Sequence, residues 1–256
     1  MTPLLSRFLP GRARRARGQA PAPIRPDQAF VAIGDVHGRS DLLFAIDEPL
    51  ERQAGGLPVV FVGDYVDRGE QSREVLQLLM QATAQDPQRV TCLMGNHERM
   101  LLDVLDAPET HGARWLRNGG LQTLASFGVA PPQGPKNELD ALLDMRAALA
   151  EAMGRAMIDW LRARPLAWQS GNVWVVHAGA DPAQPMTQQA EEVLLWGHPR
   201  FRRELRADGQ WVIHGHTIVE TPQARDGRIA IDTGAYATGR LTAALVDPDG
   251  VRFLQT

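Results

Sequence analysis

The strongest constraint on how this 256-residue chain can fold is a recurrence. Three apolar runs follow one another about 30 residues apart: "AFVAIGD" ending at Asp35, "PVVFVGD" at Asp64 and "VTCLMGNH" at His97. Each closes on glycine and a polar residue. The interval is the length of one βαβ unit. The runs are continuously apolar rather than alternating, which suits strands covered on both faces. Between them, Asp41–Ala54 and Ser72–Gln85 carry helical spacing.

From Glu98 to about Arg164 the pattern turns helical, interrupted by "APPQGP" at 130–135. Helix formers dominate "NELDALLDMRAALAEAMGRAMIDWLRAR". Strand signals return in "NVWVVHAG", "QWVIHGHT", "RIAIDTG" and "LTAALVD". The layout predicts an α/β catalytic domain over 28–256 with a mid-chain helical insertion.

Residues 1–27 read as a separate basic arm. Residues 1–25 hold six arginines and no acid, with little to bury, and are expected to be disordered. The remaining 21 basic and 30 acidic residues make an acidic body, a poor nucleic-acid surface, so no nucleic-acid partner is expected. The arm's charges lead into no apolar segment and no run of 18 apolar residues occurs, which predicts a cytoplasmic enzyme without a membrane span. Cys92 is the sole cysteine, which excludes an intrachain disulfide and a cysteine zinc cluster.

The polar residues at the strand ends carry the chemistry. Asp35 and His37 follow the first run, Asp64 the second, Asn96 and His97 the third; His177 ends "VVH", and His214 and His216 lie in "HGHT". Five of the seven histidines stand at these termini. Strand carboxyl ends in α/β sheets share one edge, where ligands bind, so residues distant in sequence can meet there. Carboxylate, carboxamide and imidazole form a mixed oxygen and nitrogen ligand set that favours Mn²⁺, with Fe or Zn²⁺ also fitting. The set exceeds what one tetrahedral ion needs. Two divalent ions sharing a carboxylate would use it all, and such pairs suit displacement at phosphorus.

In order, "GDVHG", "GDYVDRG", "GNHE", "HAG" and "HGHT" resemble the signature blocks of the calcineurin-like metallophosphoesterases. The resemblance spans about 34–239, with the middle helices anchored only by "WLRNGGLQTLASFG". It implies two packed mixed β-sheets flanked by helices, with a dinuclear centre at the strand ends. Asp35 and His37 then resemble ligands of one metal, Asp64 the bridging carboxylate, and Asn96, His177 and His216 ligands of the other. His97 resembles the general acid, Asp67 the carboxylate that orients it, and Arg68 a phosphate-binding guanidinium. The acid at Asp67 and "GNHE" are similar to the bacterial serine/threonine protein phosphatase type. That type implies hydrolysis of phosphoserine or phosphothreonine esters, or of small phosphate esters, by attack of metal-bound hydroxide. The alternatives are a symmetrical dinucleoside tetraphosphate hydrolase and a binding module without turnover; the His97–Asp67 pair speaks against the latter. One departure stands out: "LLWGHPRF" places His198 where relatives carry a second phosphate-binding arginine. Arg200, two residues on, is the expected substitute, with His198 as its rival.

Taken singly, Asp35, Asp64 and Asn96 would be turn formers after glycine. Their joint occurrence with histidines at three consecutive strand ends favours the metal site. His214 is expected to support His216 rather than to bind metal. His111, Arg99 and Arg117 read as surface residues. Asn118 is a turn former or a pocket wall, and Tyr236 a site border or a strand-end aromatic.

Overall fold

A computed structural model describes residues 21–132 and 138–256. Its strands are β1 (Phe30–Ile33), β2 (Val59–Phe61), β3 (Val90–Cys92), β4 (Ala167–Ser170), β5 (Val173–Val176), β6 (Trp211–His214), β7 (Gln223–Arg225), β8 (Arg228–Ala230), β9 (Thr242–Asp247) and β10 (Gly250–Gln255). The helices that concern the site are α1 (Ser40–Ala54), α2 (Ser72–Gln85), α3 (Asn96–Asp106), α4 (Pro108–Trp115), α5 (Leu121–Ser126), α6 (Glu138–Met153), α7 (Arg155–Arg162) and α8 (Glu191–Trp196).

The strands form two five-stranded mixed sheets, ordered β10-β9-β1-β2-β3 and β4-β5-β6-β8-β7. In the first, β1, β2 and β3 run parallel and β9 is antiparallel to β1; in the second, β5, β6 and β8 run parallel. The sheets pack face to face. Phe30, Ala32 and Val60 of the first meet Val175, Ile213 and Ile229 of the second in one apolar layer. The intervening residues Val31, Ile33 and Phe61 point the other way, into a core shared with α1, α2, α3 and α6. Strands buried on both faces need apolar residues at every position, which is why these runs show no alternation. On the outer face of the second sheet, Val176 and Val212 pack against Leu194 of α8 and Phe201. The result is the expected α/β sandwich of two mixed sheets flanked by helices, with the mid-chain insertion folded as α4 to α7.

Two expectations change. Strands β4, β7 and β10 lie at sheet edges and carry no continuous apolar run. Half-exposed edge strands need apolar residues on one side only, so their sequence signal is weak. Residues 21–27, expected to be disordered with the rest of the arm, are laid along the second sheet. Asn172 and Arg25 exchange hydrogen bonds, the Arg25 N–H donating to the Asn172 side-chain Oδ1 at 2.7 Å and the Asn172 N–H to the Arg25 carbonyl at 3.1 Å. Trp211 Nε1 donates to the Ala22 carbonyl, and Ile24 packs on the inter-sheet core. Ile24 supplies the apolar anchor that the arginine-rich composition hides. The rest of the arm, 1–20, lies outside the described residues, as does part of the "APPQGP" break. Among the described residues no helix is long and apolar enough to cross a membrane.

Candidate active site

The carboxyl ends of β1, β2, β3, β5 and β6 meet at one edge of the sandwich. Asp35 and His37 follow β1, Asp64 follows β2, Asn96 and His97 open α3, His177 follows β5 and His216 follows β6. The chain turns sharply there. Among the described non-glycine residues, positive φ occurs at His37 (45°), Asp64 (55°), Asp67 (70°), Arg68 (68°), His216 (61°) and, elsewhere, Asp226 (54°). Such conformations each cost of order 1–3 kcal/mol and persist only where surrounding contacts enforce them. Glycines give the carboxylates their space. A Cβ at Gly215 would lie 1.8 Å from Asp35 Oδ1, and one at Gly95 would lie 2.3 Å from Asp64 Oδ1.

The imidazoles are held in defined tautomers. His37 Nδ1 donates to the Val66 carbonyl at 2.8 Å, which turns Nε2 toward Asp64 Oδ2 at 3.5 Å. His177 Nδ1 donates to the Val62 carbonyl at 3.1 Å, which turns its Nε2 toward Asn96 Oδ1 at 2.8 Å and Asp64 Oδ1 at 3.4 Å. His216 Nδ1 meets the same Asn96 Oδ1 at 2.8 Å. Two groups of ligand atoms result, His37–Asp64–His97 and Asp64–His177–His216, and both contain Asp64.

The donor set fits divalent cations on three counts. First, burial pushes His177 down to about 4 and His37 down to about 3, so both rings are neutral and offer lone pairs. The lone pair of His177 Nε2 then faces the oxygen lone pairs of Asn96, an arrangement a cation relieves. Second, Asp35 Oδ1 is the one buried side-chain oxygen or nitrogen without a hydrogen bond among the described residues, while its Oδ2 accepts the His216 N–H at 2.9 Å. Buried polar atoms are rarely left unpaired. Third, negative charge is in excess. Burial, then Asp232 and Asp64, raise the Asp35 carboxyl well above its ordinary value. Burial would raise Asp64 as well, but it stays low, accepting the His97 N–H at 3.0 Å and facing the one ring here that is raised toward the imidazolium, His97.

His97 forms a dyad with Asp67, Nδ1 to Oδ2 at 2.7 Å. Burial disfavours the imidazolium, yet Asp64 and the bond to Asp67 raise His97 above its ordinary value. Asp67 is locked in turn: Thr123 Oγ1 donates to Oδ1 at 2.6 Å and Trp115 Nε1 donates at 3.0 Å. Arg68 Nη2 lies 3.1 Å from His97 Nε2, and its guanidinium sits 4.9 Å from the Tyr236 ring centroid. Below them, buried Glu98 accepts the backbone N–H groups of Asp64 (2.8 Å), Tyr65 (2.7 Å) and Gly95 (3.0 Å). It ties the loop after β2 to the start of α3. Burial and then Asp64 push Glu98 up to about 8.

All six expected metal ligands, together with His97, Asp67 and Arg68, thus share one edge. Arg200 does not join them: its guanidinium pairs with Asp181 at 2.9 Å and Glu204 at 3.5 Å, and His198 Nε2 lies 3.9 Å from Asp181. Asp181 is the reason, an acid that draws both candidate clamps to itself. His214 Nδ1 donates to the Gly215 carbonyl at 3.0 Å and its ring packs edge-on to Phe201. Asn118 donates to the Arg114 carbonyl, one turn back, as a helix-end residue. Tyr236 borders the site, edge-on to His37. Sequence reasoning missed Glu98, Trp115, Thr123 and Asp232. Each lay inside or beside a quoted motif; what revealed them was burial, which a motif does not display.

Residues 29–220 match the calcineurin-like phosphoesterase family. The bis(5'-nucleosyl)-tetraphosphatase PrpE [asymmetrical] of Bacillus velezensis is 28% identical over 238 residues, covering 84% of this chain and 87% of its own. Serine/threonine-protein phosphatase 2 of Escherichia coli is 27% identical over 226 residues, covering 82% and 89%. The crystal structure of a putative diadenosine tetraphosphatase superposes with a TM-score of 0.61 at 19% identity, over 93% of this chain and 98% of that one, a likeness of fold.

Proposed function

The chain belongs to the calcineurin-like phosphoesterase family, and from that premise we propose that it hydrolyses phosphomonoesters, with phosphoserine or phosphothreonine in proteins as the favoured substrate class. When bound, two divalent cations supply Lewis acidity toward phosphoryl oxygens and lower the pKa of water. Asp35, His37 and Asp64 would hold one; Asp64, Asn96, His177 and His216 the other. The imidazole and carboxylate set favours Mn²⁺.

The His97–Asp67 dyad carries the substrate reading. An alkoxide is a poor leaving group and departs as the alcohol once protonated by a positioned acid. A nucleotide leaving from an anhydride is already a weak base and needs little protonation. A histidine raised by two carboxylates, and a carboxylate itself held by Thr123 and Trp115, suit the poorer leaving group. Arg68, beside His97, would hold phosphate oxygens as a fork during the transfer.

Dinucleoside tetraphosphate hydrolysis is the second reading, favoured by the relative of that name matched over 84% of this chain. Parallel turnover of a phosphoserine peptide and a dinucleoside tetraphosphate with Mn²⁺ separates the two. The proposal expects higher kcat/KM on the peptide; a preference for the tetraphosphate reverses it.

A further inference from the structure

A polar cavity of about 120 Å³ opens on the outer face of the second sheet, behind the loop that carries His216. Strand parity places it. Ile213 and Ile229 point into the inter-sheet core, so their neighbours His214, Arg228 and Ala230 face outward. Arg225 of β7 stands in register with Arg228 of β8, and Arg202 reaches the same cavity from the segment before β6. Like charges directly opposite on paired strands are destabilising. Only one acid, Asp226, lines the cavity, and its oxygen lies 3.7 Å from Arg228.

The three arginines are not equivalent. Arg228 is fixed, its Nη1 donating to the carbonyls of Phe201 at 2.7 Å and Glu204 at 2.9 Å. Burial, and then Arg225 and Arg202, lower its guanidinium pKa even though Asp226 pulls the other way. The guanidinium groups of Arg202 and Arg225 make no hydrogen bond or ion pair among the described residues. His214 adds a different group. Its Nδ1–H is spent on the Gly215 carbonyl, while Nε2 has no partner and is not sealed off in the protein. That nitrogen is an acceptor beside three cations.

We propose that this pocket binds inorganic phosphate at a site separate from the catalytic edge. Guanidinium forks match phosphate oxygens two at a time. His214 Nε2 can accept the O–H that hydrogen phosphate retains at neutral pH and that sulfate lacks. The cavity is well below the ~300 Å³ of sites for drug-sized ligands, so a nucleotide does not fit inside it. Phosphate here would touch the ring of His214, whose Nδ1 holds the Gly215 carbonyl next to His216, and so would report product level to a residue of the catalytic edge.

Equilibrium dialysis of the Mn²⁺-loaded full chain with labelled phosphate tests this. The wild type should bind two phosphates per chain. The double variant Arg202→Gln/Arg225→Gln should bind one, with turnover of an aryl phosphate unchanged. Sulfate at equal ionic strength should leave the second phosphate in place. A single site in the wild type, or two retained in the double variant, overturns the proposal. Displacement by sulfate as readily as by phosphate overturns the role given to His214.

Discussion

The two sheets contribute to the candidate site in different ways. The first supplies most of the polar groups and a buried frame beneath them: Glu98 binds the backbone of the loop after β2, and Thr123 and Trp115 clamp Asp67. The second supplies two imidazoles that lean on the first. His177 is oriented by the Val62 carbonyl, and His216 by Asp35 and Asn96. Asp232 after β8 acts on Asp35, while Arg200 and His198 pair with Asp181 of their own sheet. The lesson is that the first sheet builds the site and the second closes it. Damage to the first should therefore cost more than damage to the second.

The sharpest break should come at Asp64, the residue both ligand groups share. Asp64→Asn should lower turnover by about 10³-fold or more, because loss of several kcal/mol of charge stabilisation is tenfold per 1.36 kcal/mol. It should also lose both metals, as elemental analysis would read. His97→Asn should keep both metals and reduce turnover of alkyl phosphates by ~10²–10⁴. Aryl phosphates, whose leaving groups need little protonation, should lose much less; equal losses would exclude the general acid.

Smaller effects test the frame. Thr123→Val removes one of the two donors to Asp67 Oδ1, leaving Trp115, and should cost about 10–100-fold, the usual worth of groups that orient a ligand or base. Asp67→Asn removes a contact that raises His97. The protonated fraction of the acid then falls at lower pH, so the alkaline limb of the kcat profile should move to lower pH. The smallest effect belongs to the second sheet's surface. Arg200→Ala, which breaks only exposed pairs, should change KM for phosphate esters by less than about twofold. A large rise in KM would return Arg200 to the phosphate and weaken the contrast between the sheets.

The same contrast governs how much was legible in the sequence. Residues that must be acids, amides or imidazoles at strand ends stand out against apolar runs, so Asp35, His37, Asp64, Asn96, His97, His177 and His216 were readable. The double burial of β1, β2, β5 and β6 made those strands readable too. The frame was not. Thr123 and Trp115 sit on a helical stretch where a threonine and a tryptophan look like ordinary core, and only their hydrogen bonds to Asp67 separate them from it. Glu98 could pass for a capping residue, which it also is through Gly95. The pairing of Arg200 with Asp181, 19 residues earlier and in hydrogen-bond reach, is not legible from the position of Arg200 beside the missing arginine. Edge strands β4, β7 and β10 escaped because exposure on one side removes the pattern that reveals a strand.

Metal content after removal of one second-sheet imidazole tests the division of labour most directly. His216→Ala, loaded with Mn²⁺ and measured by elemental analysis beside the wild type, takes one ligand from the closing sheet and leaves the first-sheet frame untouched. The account predicts two ions per chain in the wild type and one in the variant, the survivor held by Asp35, His37 and Asp64. Retention of both ions, or loss of both, would contradict it.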